Sequence, residues 1–244
     1  GPGRAARSSG NRACRTVEVM KAIILLALFF VVPLPALADE FRDHFQAGTE
    51  YLDKGDTERA VAHLEKARRI NPKVPDLYNV LGIARLQQKD GFRRAIEAFE
   101  EAVRLQPDYA DAYYNMGAAY AGQGEDVERA VDYFQRAIAA DARFTRAYVG
   151  LGWLHLLQKR EPEEALAYFE KAVETAPEST EGYHGLGLAY ALTGKRALAL
   201  KPISMLRTLN RPDLALAVEN ALRGEFGDGE AGEEAPKGSL ARPT

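Results

Sequence analysis

Residues 77–107 read LYNVLGIARLQQKDGFRRAIEAFEEAVRLQP, and residues 112–141 read AYYNMGAAYAGQGEDVERAVDYFQRAIAAD. The second stretch repeats the chemistry of the first at a fixed offset. Tyr78 and Tyr113 are 35 residues apart, and so are Gly82 and Gly117, Ala95 and Ala130, Phe99 and Phe134, and Ala102 and Ala137. Within each stretch the spacing is helical: Tyr113, Met116, Gly117 and Tyr120 fall at i, i+3, i+4 and i+7, one face of a helix. Ala130, Phe134 and Ala137 line a second helical face after the break Gly122-Gln123-Gly124. The unit is a helix, a short turn and a second helix.

The columns extend in both directions. One runs Tyr78, Tyr113, Tyr148 and Tyr183; another runs Gly48, Gly82, Gly117, Gly152 and Gly187. Ala60, Ala95, Ala130, Ala165 and Ala199 form a third, and Leu64, Phe99, Phe134, Phe169 and Ile203 a fourth. Ala67, Ala102, Ala137 and Ala172 end at Leu206, and Pro72, Pro107, Ala142, Pro177 and Pro212 close the units. Glycine and alanine suit places where two helices approach closely, and the aromatic ring fills the space beside them. Proline lacks an N–H and stops the second helix. A period of this length implies a stack of supersecondary units, each burying its apolar face against the next.

In these columns the sequence resembles the tetratricopeptide repeat family, whose pattern is aromatic, Leu-Gly, Tyr, Ala, Phe, Ala, Pro. The resemblance covers residues 41 to about 223. It implies an all-α fold: a right-handed superhelical array of helix-turn-helix units with a C-terminal capping helix. Units are expected near 41–74, 75–109, 110–144, 145–179 and 180–211, with the cap at 212–223. The three middle units carry one extra residue, expected to lengthen the inner turn and leave the helix faces untouched. In the first unit His44 and Ala47 stand where an aromatic and a leucine are usual, so its packing is expected to be weaker. Pro202 implies that the second helix of the fifth unit either starts late or kinks. Gly117 should reject a large side chain, and Gly91, in a lengthened turn, should accept alanine more readily.

The flanks read differently. Residues 1–19 show no apolar period and read as an unstructured leader, with Met20 as the expected natural start. Met20-Lys21, the apolar run Ala22–Val32, two prolines and Ala36-Leu37-Ala38 have the layout of a secretory signal peptide at residues 20–38. Cleavage after Ala38 would leave 39–223 as the repeat domain. A retained anchor is the competing reading, although a spanning helix needs about 20 apolar residues. The lone cysteine, Cys14, precedes Met20, so the exported chain would hold no disulfide. Losing residues 1–38 removes five basic residues and one acidic one, taking the formal charge from −3 to −7. Such a charge argues against a nucleic-acid partner. Residues 224–244, rich in Gly, Glu, Pro and Ser, read as a disordered acidic tail.

No zinc spacing, nucleophile elbow or phosphate loop occurs, so no catalytic residue, metal site or cofactor is expected. Gly150-Leu151-Gly152 and Gly185-Leu186-Gly187 recur 35 apart within helical segments and read as packing glycines. His155 stands in the column of Tyr120 and Tyr190 and reads as a packing residue.

Binding residues are sought one step around the first helices, where family resemblance places the concave lining. That stripe holds Phe45, Thr49 and Leu52; Asn79, Ile83 and Leu86; Tyr114, Ala118 and Ala121; Val149, Trp153 and Leu156; and His184, Leu188 and Ala191. Phe45, Ile83, Leu86, Tyr114, Val149, Trp153, Leu156, His184 and Leu188 are the candidate partner-binding residues, with Trp153 the best anchor. The alternative is that neighbouring repeats bury them. The family's clamp for the carboxyl end of chaperone tails is incomplete, since only Asn115 and Arg146 match it. The expected function is a non-catalytic scaffold of the bacterial envelope, periplasmic or secreted, that holds a peptide or helix of a partner protein. Self-assembly, or service as the accessory subunit of an enzyme or export complex, is the alternative.

Overall fold

The computed structural model describes residues 34–124 and 126–224. Most of the signal segment and the acidic tail lie outside them. Every regular element among the described residues is helical. The first unit pairs α1 (Leu34–Asp53) with α2 (Thr57–Ile70), and the second pairs α3 (Pro75–Leu86) with α4 (Phe92–Leu105). The third pairs α5 (Ala110–Gln123) with α6 (Val127–Ala140). The fourth joins α7 (Thr145–Trp153), continued by a π-helical turn (Leu154–Lys159), to α8 (Pro162–Thr175). The fifth pairs α9 (Thr180–Leu192) with α10 (Leu200–Thr208), and α11 (Pro212–Arg223) packs on both. Each helix packs on its partner within the unit and on the next unit's first helix, and the first helices of successive units also touch. The result is a superhelical array of helix-turn-helix units.

The glycine column sets how closely each pair approaches. A Cβ added at Gly82 would lie 2.4 Å from the Phe99 ring, at Gly117 2.7 Å from Phe134, and at Gly152 2.6 Å from Phe169. Each of these rings is buried, with Phe99 and Phe169 fully enclosed. Phe134 and Phe169 also meet the following unit: a Cβ on Gly150 would come within 2.9 Å of Phe134, and one on Gly185 within 2.1 Å of Phe169. The recurring Gly-x-Gly therefore clasps a ring of the preceding unit at its first glycine and a ring of its own unit at its second in the fourth unit. In the fifth unit Gly187 meets Val218 of α11 instead, so the cap supplies the bulk that a second helix supplies elsewhere.

The turns are closed by left-handed residues, Gly55, Asp90, Gly124, Arg160 and Gly194 in order. Asp56 and Asp126 then cap the second helices that follow by accepting hydrogen bonds from the backbone N–H groups of Arg59 and Arg129, and Ser179 caps α9, the first helix of the fifth unit, by accepting from the Gly182 N–H. In the fourth unit the extra residue does not lengthen the turn. It is absorbed inside the first helix as the π-helical turn, closed by the N–H of Glu161 donating to the carbonyl of His155 at 2.8 Å. The expectation that the helix faces stay untouched is wrong there, because one added residue rotates everything after Trp153. Pro202 lies in the first turn of α10, so that helix starts late, and the missing N–H falls where none is bonded within the helix.

The expectation for Gly91 also fails. Its φ of −78° suits any residue, but a Cβ there would sit 1.7 Å from the carbonyl oxygen of Arg85, a backbone atom that cannot swing aside. Gly91→Ala is therefore expected to destabilise by at least as much as the about 1–3 kcal/mol of an overpacked core site, comparable with Gly117→Leu. Gly122→Ala, which meets nothing within 4 Å, should be neutral or slightly stabilising. Thermal midpoints of the three variants check this ordering.

Candidate functional site

The first helices carry the sequence-designated stripe, and the structure divides it. Ile83 (1% exposed), Tyr114 (7%) and Leu156 (6%) are buried. They are not surface, and their assignment to a partner-binding lining is corrected here. Neighbouring first helices lie against each other, so a residue one step from the packing column tucks between them. Tyr114 is held by the rings of Phe134 at 5.5 Å and Phe144 at 5.7 Å, and burial pushes its phenol up in pKa. Leu156 lies in the π-helical turn.

Phe45, Leu86, Val149, Trp153, His184 and Leu188 stay partly exposed. They do not form one even strip. Phe45 stacks on Phe41 at 5.9 Å at the amino-terminal end of the array, and Leu86 packs on the core of the first two units. Val149, Trp153 and Leu188 border one cluster built on Leu156, Leu166, Phe169 and Leu186. The indole of Trp153 stands edge-on to Phe169 at 5.3 Å and against the His184 ring at 5.4 Å. Its Nε1 is buried and has no hydrogen-bond partner. His184 titrates below the ordinary histidine value, through burial first and then the positive charge of Arg211, so it is a neutral, largely apolar surface near pH 7. The fourth and fifth units thus bring four of the designated residues together: Val149, Trp153, His184 and Leu188.

Beside this cluster runs a polar row that sequence reasoning passed over. Arg42, Asp76, Asp111, Arg146 and Glu181 recur at the unit spacing, two positions before the Tyr column. The Nη2 of Arg146 donates to Asp111 Oδ1 at 2.7 Å, and its guanidinium lies over Phe144 and Tyr114 at 5.0 and 5.3 Å. Burial raises the Asp111 carboxyl despite that partner. The Tyr109 hydroxyl donates to Asp76 at 2.6 Å, and burial followed by that bond lifts its pKa far above the usual value. Asn115 donates to Asn79 at 2.8 Å, both fully buried, joining the second and third units. Asn115 therefore serves the array itself, and Arg146 is already engaged by a carboxylate of the neighbouring unit. The signal for this row was in the sequence as a further, charged column, but a charged column reads as solvated until its partners are seen.

His155 shares a hydrogen bond with Glu161 at 2.8 Å and stacks on Tyr168 at 5.1 Å. No group of three or more metal-ligating side chains occurs among the described residues.

Family models place this architecture. A TPR repeat model matches residues 48–89 and 92–124, and a tetratricopeptide repeat model matches residues 121–180 and 154–230. No curated protein matches the chain significantly. Among solved structures, MamA is 25% identical over 78% of this chain and 97% of its own, with a TM-score of 0.55. TTC0263, a thermophilic TPR protein of Thermus thermophilus, is 20% identical over 75% of this chain and 99% of its own, at a TM-score of 0.59. YrrB, described as a TPR protein with an unusual peptide-binding site, is 24% identical over 72% of this chain and 90% of its own, at 0.53. The last two likenesses speak to the fold alone. With its columns, its paired helices and family models spanning residues 48–230, the chain belongs to the tetratricopeptide repeat family.

Proposed function

We propose that the protein is a non-catalytic scaffold that holds an amphipathic peptide or helix of a partner protein against the first helices of its fourth and fifth units. The observation that carries this is the convergence of Val149, Trp153, His184 and Leu188, partly exposed and apolar or neutral, on one cluster. Amphipathic segments dock through a few large apolar anchors spaced along one face, and indole rings are frequent hot spots in such contacts. The pairing of Arg146 with Asp111 leaves no ready basic clamp there for a terminal carboxylate.

Self-association is the second reading, and one feature favours it. Leu192, Leu198, Leu200 and Leu216 are 47%, 53%, 65% and 52% exposed, all near the carboxyl-terminal end of the array. Large exposed leucines on a capping end invite contact with another copy.

The signal-like layout of residues 20–38 supports the reading that the chain is exported to the bacterial envelope. Helix α1 begins at Leu34, so cleavage after Ala38 would remove its first five residues and leave Asp39–Asp53. No described helix is long and apolar enough to cross a membrane, and the apolar run 22–32 lies outside the described residues. Amino-terminal sequencing of envelope-extracted protein should begin at Asp39; full-length protein held in the membrane fraction would contradict cleavage.

Two substitutions test the groove. Leu188→Asp should abolish capture of the partner while keeping the far-ultraviolet helical signal, and Leu216→Asp should leave capture intact. Trp153→Ala should weaken binding by about 2 kcal/mol or more and also lower the thermal midpoint, because its ring packs on Phe169. Capture lost with Leu216→Asp but kept with Leu188→Asp would move the interaction to the carboxyl-terminal end.

A further inference from the structure

The first unit departs from the repeat at two places that face each other. Where later units have Tyr78, Tyr113, Tyr148 and Tyr183, it has His44; where they have Ala98, Tyr133, Tyr168 and Pro202, it has His63. His44 lies on α1 and His63 on α2. Their Nδ1 atoms are 3.2 Å apart, with ring centroids at 5.2 Å and planes at 67°. Both residues are partly exposed, and the Tyr51 ring stands 5.4 Å from His63 on a neighbouring side.

Packing alone asks this column for a tyrosine or a small residue, not for two imidazoles with their nitrogens turned together. Two nitrogens bound to one tetrahedral zinc ion, each about 2.0–2.1 Å from it, are separated by about 3.3 Å. The observed spacing matches that geometry within a tenth of an ångström or so. We propose that His44 and His63 form a two-histidine site for a late first-row divalent cation such as zinc, clasping α1 to α2 at the amino-terminal end of the array.

No third His, Cys, Asp or Glu stands close enough to complete a closed site among the described residues. The other coordination positions are open to water or to an external donor. Imidazole donors select zinc, nickel or copper over magnesium and calcium. The clasp falls on the first unit, where Ala47 stands in place of the usual leucine and remains partly exposed. An ion that binds only the folded pair would stabilise this end in proportion to its occupancy. Lys66 is the positive neighbour that acts on His63, so its charge works against a bound dication.

Calorimetric titration of zinc chloride into the full chain, in a buffer without chelators, tests the site. One zinc per chain is expected, with a Kd on the order of tens of micromolar, a rise in thermal midpoint that EDTA reverses, and no effect of magnesium. His44→Gln and His63→Gln should each weaken zinc binding at least tenfold with an unchanged helical spectrum. Lys66→Gln keeps both imidazoles and should tighten binding a fewfold, which guards against loss of binding through misfolding of a histidine variant. Absence of uptake up to about millimolar zinc, or uptake that neither histidine substitution weakens, would overturn the proposal and leave the contact as a hydrogen bond between two rings.

Discussion

The array depends on one steric fit: an aromatic ring of the second helix in each of the three middle units seated against glycine. Phe134 lies between Gly117 of its own unit and Gly150 of the next, and Phe169 between Gly152 and Gly185. Because these two rings touch glycines on two first helices, the same contact that closes the third or fourth unit fixes where the next one sits. Buried alanines, among them Ala130, Ala137, Ala165 and Ala172, let the axes stay close enough for that fit to persist. Stability in such a stack is a chain of nearest-neighbour terms, so the ends carry fewer of them than the middle. Here the ends are treated differently. Val218 of α11 takes the ring's place against Gly187 at one end, while at the other a leucine, Leu64, meets Gly48.

Much of this was readable from residue order. Glycine, alanine and phenylalanine at fixed offsets permit few arrangements, and their column identity does not depend on distant partners. What stayed hidden depends on how one unit sits against the next. Ile83 and Tyr114 look like lining because they are one step around from the packing column, yet adjacent first helices close over them. Asn79 and Asn115 are polar residues whose hydrogen bond spans two units, and no local pattern announces it. An extra residue in the fourth unit could equally enter a turn or a helix; the π-helical turn after Trp153 shows which, and that choice moves Leu156 inward. Gly91 shows the same limit, since its clash is with the Arg85 carbonyl across a turn whose path only the folded backbone defines.

The site follows from this geometry. Small residues on the first helices keep neighbouring units close, and closeness buries part of the apolar stripe, Ile83, Tyr114 and Leu156 among it. Trp153 is too large to be fully enclosed between Phe169 and His184, so part of it remains at the surface beside Val149 and Leu188. In the row of Asp76, Asp111 and Arg146, Asp111 is paired with Arg146 and Asp76 is held by the Tyr109 hydroxyl, so these groups are engaged within the array. An apolar anchor surface next to internally satisfied charges suits an amphipathic segment better than a highly charged one. The scaffold reading and the packing reading of the same helices are thus linked: what the repeats leave uncovered is what a partner can reach.

The ring-against-glycine fit is tested most directly by a double-mutant cycle on Gly117 and Phe134. Gly117→Ala alone should destabilise, because its Cβ would lie 2.7 Å from the Phe134 ring. Phe134→Leu alone should also destabilise, by loss of buried ring, in the range of about 1–3 kcal/mol. Combined, the smaller side chain should make room for the added methyl, so the double variant should be more stable than the sum of the two losses by about 1 kcal/mol or more. Strict additivity in chemical denaturation would show that the glycine and the ring do not constrain each other and would contradict the account.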